Sequence, residues 1–235
     1  GIAAAIYQGL VDSCVQTSKS MISARLQNAG GILGSIVTGS ATGSEKKAVV
    51  NNCAAYGDIY GQYEVGGVIG YASAGNAGNE IEVSNCAYIG GELVAQGINA
   101  YNYSLIGGVV GYFHGNGSTK MVNCYSRPAC ITSVMTGTGG VGGVVGYQSS
   151  VTNYIDNCYS TVTGSDVLYQ NAPITSSSLS FYGSVIGRCS VASPYKHCFY
   201  DSSLRMGGKG SLEQAGDCQG ISGAKFTDGS LLTLL

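Results

Sequence analysis

Nine cysteines, two histidines and thirteen Asp and Glu residues are the side chains of this 235-residue chain whose types suit nucleophilic, metal or acid–base chemistry. Five of the cysteines sit in one repeated box: Asn52-Cys53, Asn85-Cys86, Asn123-Cys124, Asn157-Cys158 and His197-Cys198, with a partial forerunner at Asp12-Ser13-Cys14. They recur after 33, 38, 34 and 40 residues, and no C-x-x-C pair exists. A zinc knuckle needs two ligands within a few residues of each other, so no metal is expected here. The recurrence fits a ladder of small buried thiols, since free cysteine packs as a small hydrophobe. Disulfides between rungs are a second reading of the same spacing, because strands about 4.8 Å apart lie within the Cα separations that a bridge tolerates. Cys130, Cys189 and Cys218 fall off the spacing and are the expected reactive or paired thiols.

Catalytic constellations are missing from the sequence. The two histidines make no H-E-x-x-H, no serine is framed as Gly-x-Ser-x-Gly, and no phosphate-cradling Gly-x-x-x-x-Gly-Lys-Ser/Thr occurs. His114, in Tyr112-Phe113-His114-Gly115, reads as a loop residue. Polysaccharide cleavage needs clustered carboxylates, or basic groups that bind a metal and an acidic sugar, whereas Asp12, Asp58, Asp156, Asp166, Asp201, Asp217 and Asp228 are scattered singly. Glu80 and Glu82 share a strand face and read as a solvated edge. The expectation is a non-enzyme without a cofactor. Seventeen tyrosines and no tryptophan give the one positive hint. Tyr71, Tyr112 and Tyr147 recur with the repeat, while Tyr101, Tyr103, Tyr154 and Tyr169 fall in expected loops, where an exposed ring grips a sugar face or a protein. Those four are the candidate ligand-binding residues, and the loops 90–105 and 164–182 are the expected recognition segments.

These side chains must be positioned by a repeating element. A glycine box precedes each cysteine box: Gly30-Gly31-Ile32-Leu33-Gly34, Gly66-Gly67-Val68-Ile69-Gly70, Gly107-Gly108-Val109-Val110-Gly111, Gly142-Gly143-Val144-Val145-Gly146 and the degraded Gly183-Ser184-Val185-Ile186-Gly187. Its period of 36, 41, 35 and 41 residues is that of a stacked repeat. Helical spacing is not sustained, and segments such as Val65–Tyr71 and Ile106–Tyr112 read as strands. A second strand is expected to carry the Asn-Cys box, as in Lys120–Tyr125, and a third to follow it, as in Tyr56–Tyr60, Glu92–Gln96, Ile131–Thr136 and Ser160–Thr163. Such coils place Cys53, Cys86, Cys124, Cys158 and Cys198 in one inward ladder and Asn52, Asn85, Asn123 and Asn157 in an amide ladder that His197 ends. The glycines then supply either positive φ at a corner or room for a close backbone approach.

The reading is therefore all-β: a right-handed parallel β-helix of about five to six coils over residues 1–203, with a non-repeat cap or linker over 204–235. A short helix is expected from Ser230, with Asp228 as its N-cap. Apolar residues make up 44% and charged residues only 10%, against roughly 25% in an average globular protein. With a net charge of −2 and scattered basic residues, nothing marks a nucleic-acid footprint. No run approaches the roughly 18 apolar residues that span a bilayer, so insertion into a membrane is not expected. Gly1 to Ile6 lacks the basic region of a secretory signal, and the cluster Leu231-Leu232-Thr233-Leu234-Leu235 expects a covering partner. Both suit a piece of a longer exported chain with flanking domains.

The alternation of Gly-Gly-apolar-apolar-Gly, often followed by tyrosine as at Tyr71, Tyr112 and Tyr147, with Asn-Cys-Tyr resembles the GLUG motif over roughly residues 14–203. Cys198-Phe199-Tyr200-Asp201-Ser202-Ser203 is similar to the way such arrays close. The resemblance implies an extracellular β-solenoid of a bacterial surface protein: an adhesin-like chain presenting itself to a host glycan or matrix protein, or the non-catalytic repeat region of an immunoglobulin-A-cleaving metallopeptidase. It carries over no catalytic or ligand residue. A polysaccharide-degrading β-helix is the remaining alternative.

Overall fold

The computed structural model describes residues 1–25, 27–39, 46–97, 103–134, 139–149, 153–162, 167–169, 172–173, 182–189, 195–201 and 218–222. Among them every regular element is a strand. One complete coil runs through Glu64–Gly66, Ile69–Ala74, Glu80–Ser84, Ala87–Ile89 and Glu92–Ala95. The next repeats it as Leu105–Gly107, Val110–Gly115, Ser118–Val122, Tyr125–Arg127 and Cys130–Ser133. Each strand pairs in parallel with its copy, so that Val65 meets Ile106, Tyr71 meets Tyr112, Val83 meets Met121, Ala87 meets Tyr125 and Leu93 meets Ile131. Stacking produces five walls, numbered here one to five in that order, with five, six, six, seven and six strands, of which Ala172–Pro173 joins wall five antiparallel to Val167–Tyr169.

The molecule is thus a parallel β-solenoid. Two details of the expectation change. Four coils are complete, beginning at Ala29, Glu64, Leu105 and Gly140, with partial coils at either end, in place of five to six. Each coil has five strands in place of three, because both sequence boxes are corners: the glycine box separates wall one from wall two, and Asn-Cys separates wall three from wall four. Of the stretch expected as Ser160–Thr163 only Ser160 is in a strand, Tyr159–Ser160 of wall four, and the wall-five strand comes later, at Val167–Tyr169. Within 204–235 the strand Cys218–Ile221 pairs in parallel with Cys198–Asp201 and extends wall four; the expected helix from Ser230 and the terminal leucine cluster lie outside the described residues.

The core follows from the boxes. Val68 and Ile69, Val109 and Val110, and Val144 and Val145 are all fully buried, although strand neighbours normally alternate. The corner turns both members of each pair inward. Each such side chain contributes on the order of 1.5–3 kcal/mol, and a single coil cannot cover it, so the coils stabilise one another.

Both corners keep a constant two-residue length through the four complete coils. Hydrogen bonding runs through them: Gly67 N–H donates to Gly107 (3.1 Å), Val68 to Val109 (2.9 Å), and Asn85 to Val122 (3.1 Å). Variation in coil length falls elsewhere. The connection from wall five to wall one is short between Gly61 and Glu64 and long between Ala95 and Leu105, Ser133 and Gly140, and Pro173 and Tyr182. The connection from wall two to wall three also varies, and the last coil adds an insertion between walls four and five.

Candidate functional site

The Asn-Cys corner is the most regular chemical feature of the solenoid. Asn52, Asn85, Asn123 and Asn157 adopt left-handed backbone with φ of 53°, 53°, 54° and 50°, and Ser13 (54°) and His197 (46°) take the same place at the ends. Asparagine tolerates this region better than other residues with a Cβ. Its side chain is therefore free to bond along the solenoid axis. Asn157 Nδ2 donates to Asn123 (3.3 Å), Asn123 to Asn85 (3.1 Å), Asn85 to Asn51 (2.9 Å), and Asn51 to the Asp12 carboxylate (2.8 Å). All four donors point one way, toward the charged acceptor at Asp12. Asn52 joins at its end, donating to Asp12 at 3.4 Å. His197 leaves the row and places Nδ1 2.9 Å from Asp156. Burial opposes ionisation of Asp156, but hydrogen bonds from Tyr154 and His197 prevail and hold it below the usual carboxylate range.

The thiols stack directly behind these amides. Cys53, Cys86, Cys124, Cys158 and Cys198 are at most 1% exposed, and their Sγ–H groups donate to the carbonyl two residues earlier at 3.1–3.4 Å. Cys14 makes the same bond to Asp12 at one end of the row. At the other end Cys218 pairs in register with Cys198, so Cys218 belongs to the ladder and not off it. Its assignment as an off-spacing thiol fails because the tail rejoins wall four without repeating the box. Contact with the next thiol pushes Cys86 up to about 12, and burial lifts Cys124 far above the ordinary thiol range. Thiols so held are neutral, and a neutral thiol is a poor nucleophile and ligand. Among the described residues no cysteine is joined in a disulfide, and no group of three metal-ligating side chains converges.

Wall two presents the outer tyrosine row. Tyr112 and Tyr147 stack with centroids 4.9 Å apart and planes 5° apart, Tyr71 lies 5.5 Å from Tyr112, and the Arg188 guanidinium caps Tyr147 at 4.8 Å. Neighbouring rings and Arg188 thus occupy the faces along the row, leaving edges and hydroxyls for a ligand. Beside it His114 Nδ1 lies 2.8 Å from Ser149 Oγ and 3.2 Å from Tyr112 Oη, and these two oxygens are 3.1 Å apart. His114 stands on the strand Val110–Gly115, not in a loop. Spacing in sequence hid this Ser–His pair, which the repeat register brings together. Both hydroxyls converge on one ring nitrogen, so the trio lacks the nucleophile–base–orienter relay of nucleophilic catalysis.

The carboxylates are placed by register as well. Lys47 Nζ lies 3.4 Å from Glu80 and 3.2 Å from Glu82, an exposed ion-paired edge. Asp58 and Glu92, distant in sequence, occupy adjacent rungs of wall five: Asp58 accepts from the Glu92 N–H at 3.0 Å, and Tyr60 Oη donates to Glu92 at 3.4 Å. Aligning the repeats would have paired them. Glu64 is more unusual, since burial pushes its carboxyl up to about 7. A carboxyl whose folded pKa is raised favours the native state below its unfolded value near 4.5 and forfeits that advantage as pH climbs through 7. Glu64→Gln should therefore raise the stability at pH 8, and with it the thermal midpoint, by on the order of 1–2 kcal/mol after allowing for residual solvent contact, and leave both unchanged at pH 4. Melting curves of both proteins across that range check the sign.

The four candidate ligand tyrosines do not gather. Tyr103 lies against Tyr63 with centroids 5.9 Å apart. Tyr154 and Tyr169 stand on the strands Asn153–Asp156 and Val167–Tyr169 in place of loops, and Tyr154 Oη donates to Asp156 at 2.6 Å. Tyr101 lies outside the described residues. The expected recognition segments shrink accordingly, because Glu92–Ala95 and Leu105 belong to walls, as do Val167–Tyr169, Ala172–Pro173 and Tyr182. What remains is the corner from wall five to wall one. No family model, curated protein or solved structure matches this chain.

Proposed function

We propose that this chain is a non-catalytic extracellular scaffold of a bacterial surface protein, of the kind its likeness to GLUG repeats implies, which presents a ligand-binding corner to a host glycan or matrix protein. The observation that carries the reading is the division of labour between corners. The glycine and Asn-Cys corners are held at constant length by close packing and by the amide and thiol ladders, so their polar groups are used up in the structure. Change in length falls at the remaining connections, from wall two to wall three and from wall five to wall one, and the latter includes the longest, between Ala95 and Leu105, with long ones also between Ser133 and Gly140 and between Pro173 and Tyr182. Insertions on one face of a solenoid are where such scaffolds carry recognition. A low charge content and a surface of Ser, Thr, Asn and Tyr suit contact with carbohydrate through hydrogen bonds, since the tyrosine row offers edges and hydroxyls.

Replacing residues 96–104 and 174–181 by short Gly-containing turns tests this. Binding to an arrayed panel of host glycans and matrix proteins should fall at least tenfold, a loss of about 1.4 kcal/mol or more, while the β-sheet circular dichroism is retained. Undiminished binding by the shortened protein would overturn the corner as the recognition element, and turnover of an acidic polysaccharide by the intact chain would overturn the non-catalytic reading.

A further inference from the structure

We infer that Cys198 and Cys218 are a disulfide-forming pair that fastens the strand Cys218–Ile221 to the last coil when the chain meets an oxidising environment. The two cysteines are register partners on neighbouring parallel strands, followed by Phe199 opposite Gln219, Tyr200 opposite Gly220 and Asp201 opposite Ile221. The two thiols are near enough to influence one another electrostatically. Strands paired in this way bring Cα atoms to about 4.8 Å, inside the range that a disulfide spans. The pair also differs from the interior rungs. Cys86, Cys124 and Cys158 are sealed at 0–1% exposure between strands on both sides, which excludes an oxidant and fixes the backbone. Cys218 is partly exposed, and among the described residues its strand is the last of wall four, so a reagent can reach it.

The oxidant is a low-molecular-weight disulfide. The Cys218 thiol loses its proton to solvent, and its sulfur attacks one sulfur of the reagent, expelling one small thiolate. The Cys198 sulfur, deprotonated in turn, attacks Sγ of Cys218 in the mixed disulfide and expels the second. Two protein thiols and one small disulfide become one protein disulfide and two small thiols, the two protons ending on the leaving groups. Contact with Cys218, then burial, holds the Cys198 thiol far above its ordinary range, so closure should be slow and faster at higher pH. The bridge closes a loop through residues 199–217, and such closures stabilise chiefly by restricting the unfolded chain. Its occurrence in vivo rests on the extracellular reading above; the test addresses the pair itself.

Purified protein is equilibrated with oxidised glutathione, quenched in acid, denatured and alkylated without reduction, then mapped by mass spectrometry. A peptide joining Cys198 to Cys218, lighter by two hydrogens than the sum of its parts, is expected, with two of the nine thiols lost to alkylation and restored by reductant. Cys218→Ser should abolish the cross-linked peptide and leave every remaining thiol alkylated. The inference is overturned by nine alkylated thiols at equilibrium, by a lasting glutathione adduct on Cys218, or by a bridge that joins Cys218 to Cys189 or appears at Cys14 and Cys53 instead.

Discussion

Replacing Gly108 with valine should lower the thermal midpoint by about 6–12 °C, corresponding to about 3 kcal/mol at the 2–4 °C per kcal/mol typical of a chain this size. Gly108 is the second glycine of its box, and a Cβ there would be driven into the carbonyl of Gly143 on the next coil and into the side chain of Ser126 on wall four. Equivalent collisions await Gly67 against the carbonyl of Gly108 and the Tyr88 ring, and Gly143 against Ser184 and Ser160. The bore is narrow at this corner because wall four packs straight against it. Overpacking an ordinary core costs about 1–3 kcal/mol because side chains can give way. Here the obstruction is backbone, held by bonds such as Gly108 N–H to Gly142 (3.2 Å), so the cost falls at the top of that range or above it. Two comparators isolate the cause. Asn116 is exposed, and Asn116→Ala should change the stability by less than about 0.5 kcal/mol, with a correspondingly small shift of the midpoint. Gly90 has a positive φ of 83° with nothing within 4 Å of an added Cβ, so Gly90→Ala carries only the left-handed backbone cost of about 1 kcal/mol. If Gly108→Val melted like Asn116→Ala, the close packing of successive coils at the glycine corner would be wrong.

Period, parallel stacking and the inward thiols follow from recurrence in the sequence, because only a repeated environment keeps the same residue types at matching positions over several coils. The corners were harder to read. Val65 to Tyr71 is a run of glycine and strongly β-prone residues, and periodicity alone takes it for one strand, whereas the chain bends at Gly67-Val68. The telling sign was the pair of consecutive branched residues, which no half-buried strand would turn the same way. Of the two roles open to the glycines, close approach is the one built: none of the box glycines has a positive φ, and that conformation falls to the asparagines. Of the end rungs, Cys14 was legible as a forerunner of the box although Ser13 stands where the others have asparagine, whereas Cys218 escaped because it follows no box. Tyr154 and Tyr169 were misplaced for a related reason, since loop-like composition masked their register with Lys120 and Ser133. Pairings across coils, such as Asp58 with Glu92 and His114 with Ser149, are invisible to spacing within one repeat and emerge only when repeats are superposed.

The asparagine corner makes the sharper test, because two properties of one residue can be taken apart. Asn123 holds a φ of 54°, donates to Asn85 at 3.1 Å and accepts from Asn157 at 3.3 Å. Alanine removes both the amide bonds and the tolerance for left-handed backbone, so Asn123→Ala should cost about 2–5 kcal/mol: about 1–2 for the conformation and about 0.5–1.5 for each of the two hydrogen bonds. Glycine removes the bonds but adopts the conformation freely, so Asn123→Gly should be milder by about 1 kcal/mol, a difference of a few degrees in the melting temperature. Asn123→Asp keeps the acceptor for Asn157 while turning a carboxylate toward the Asn85 oxygen, and should be destabilising at neutral pH and partly rescued in acid, where the protonated carboxyl can donate. An Ala variant no less stable than the Gly variant would mean that the corner does not require its left-handed residue. A Gly variant as stable as the parent would mean that the ladder of amides, for all its regularity, stabilises nothing.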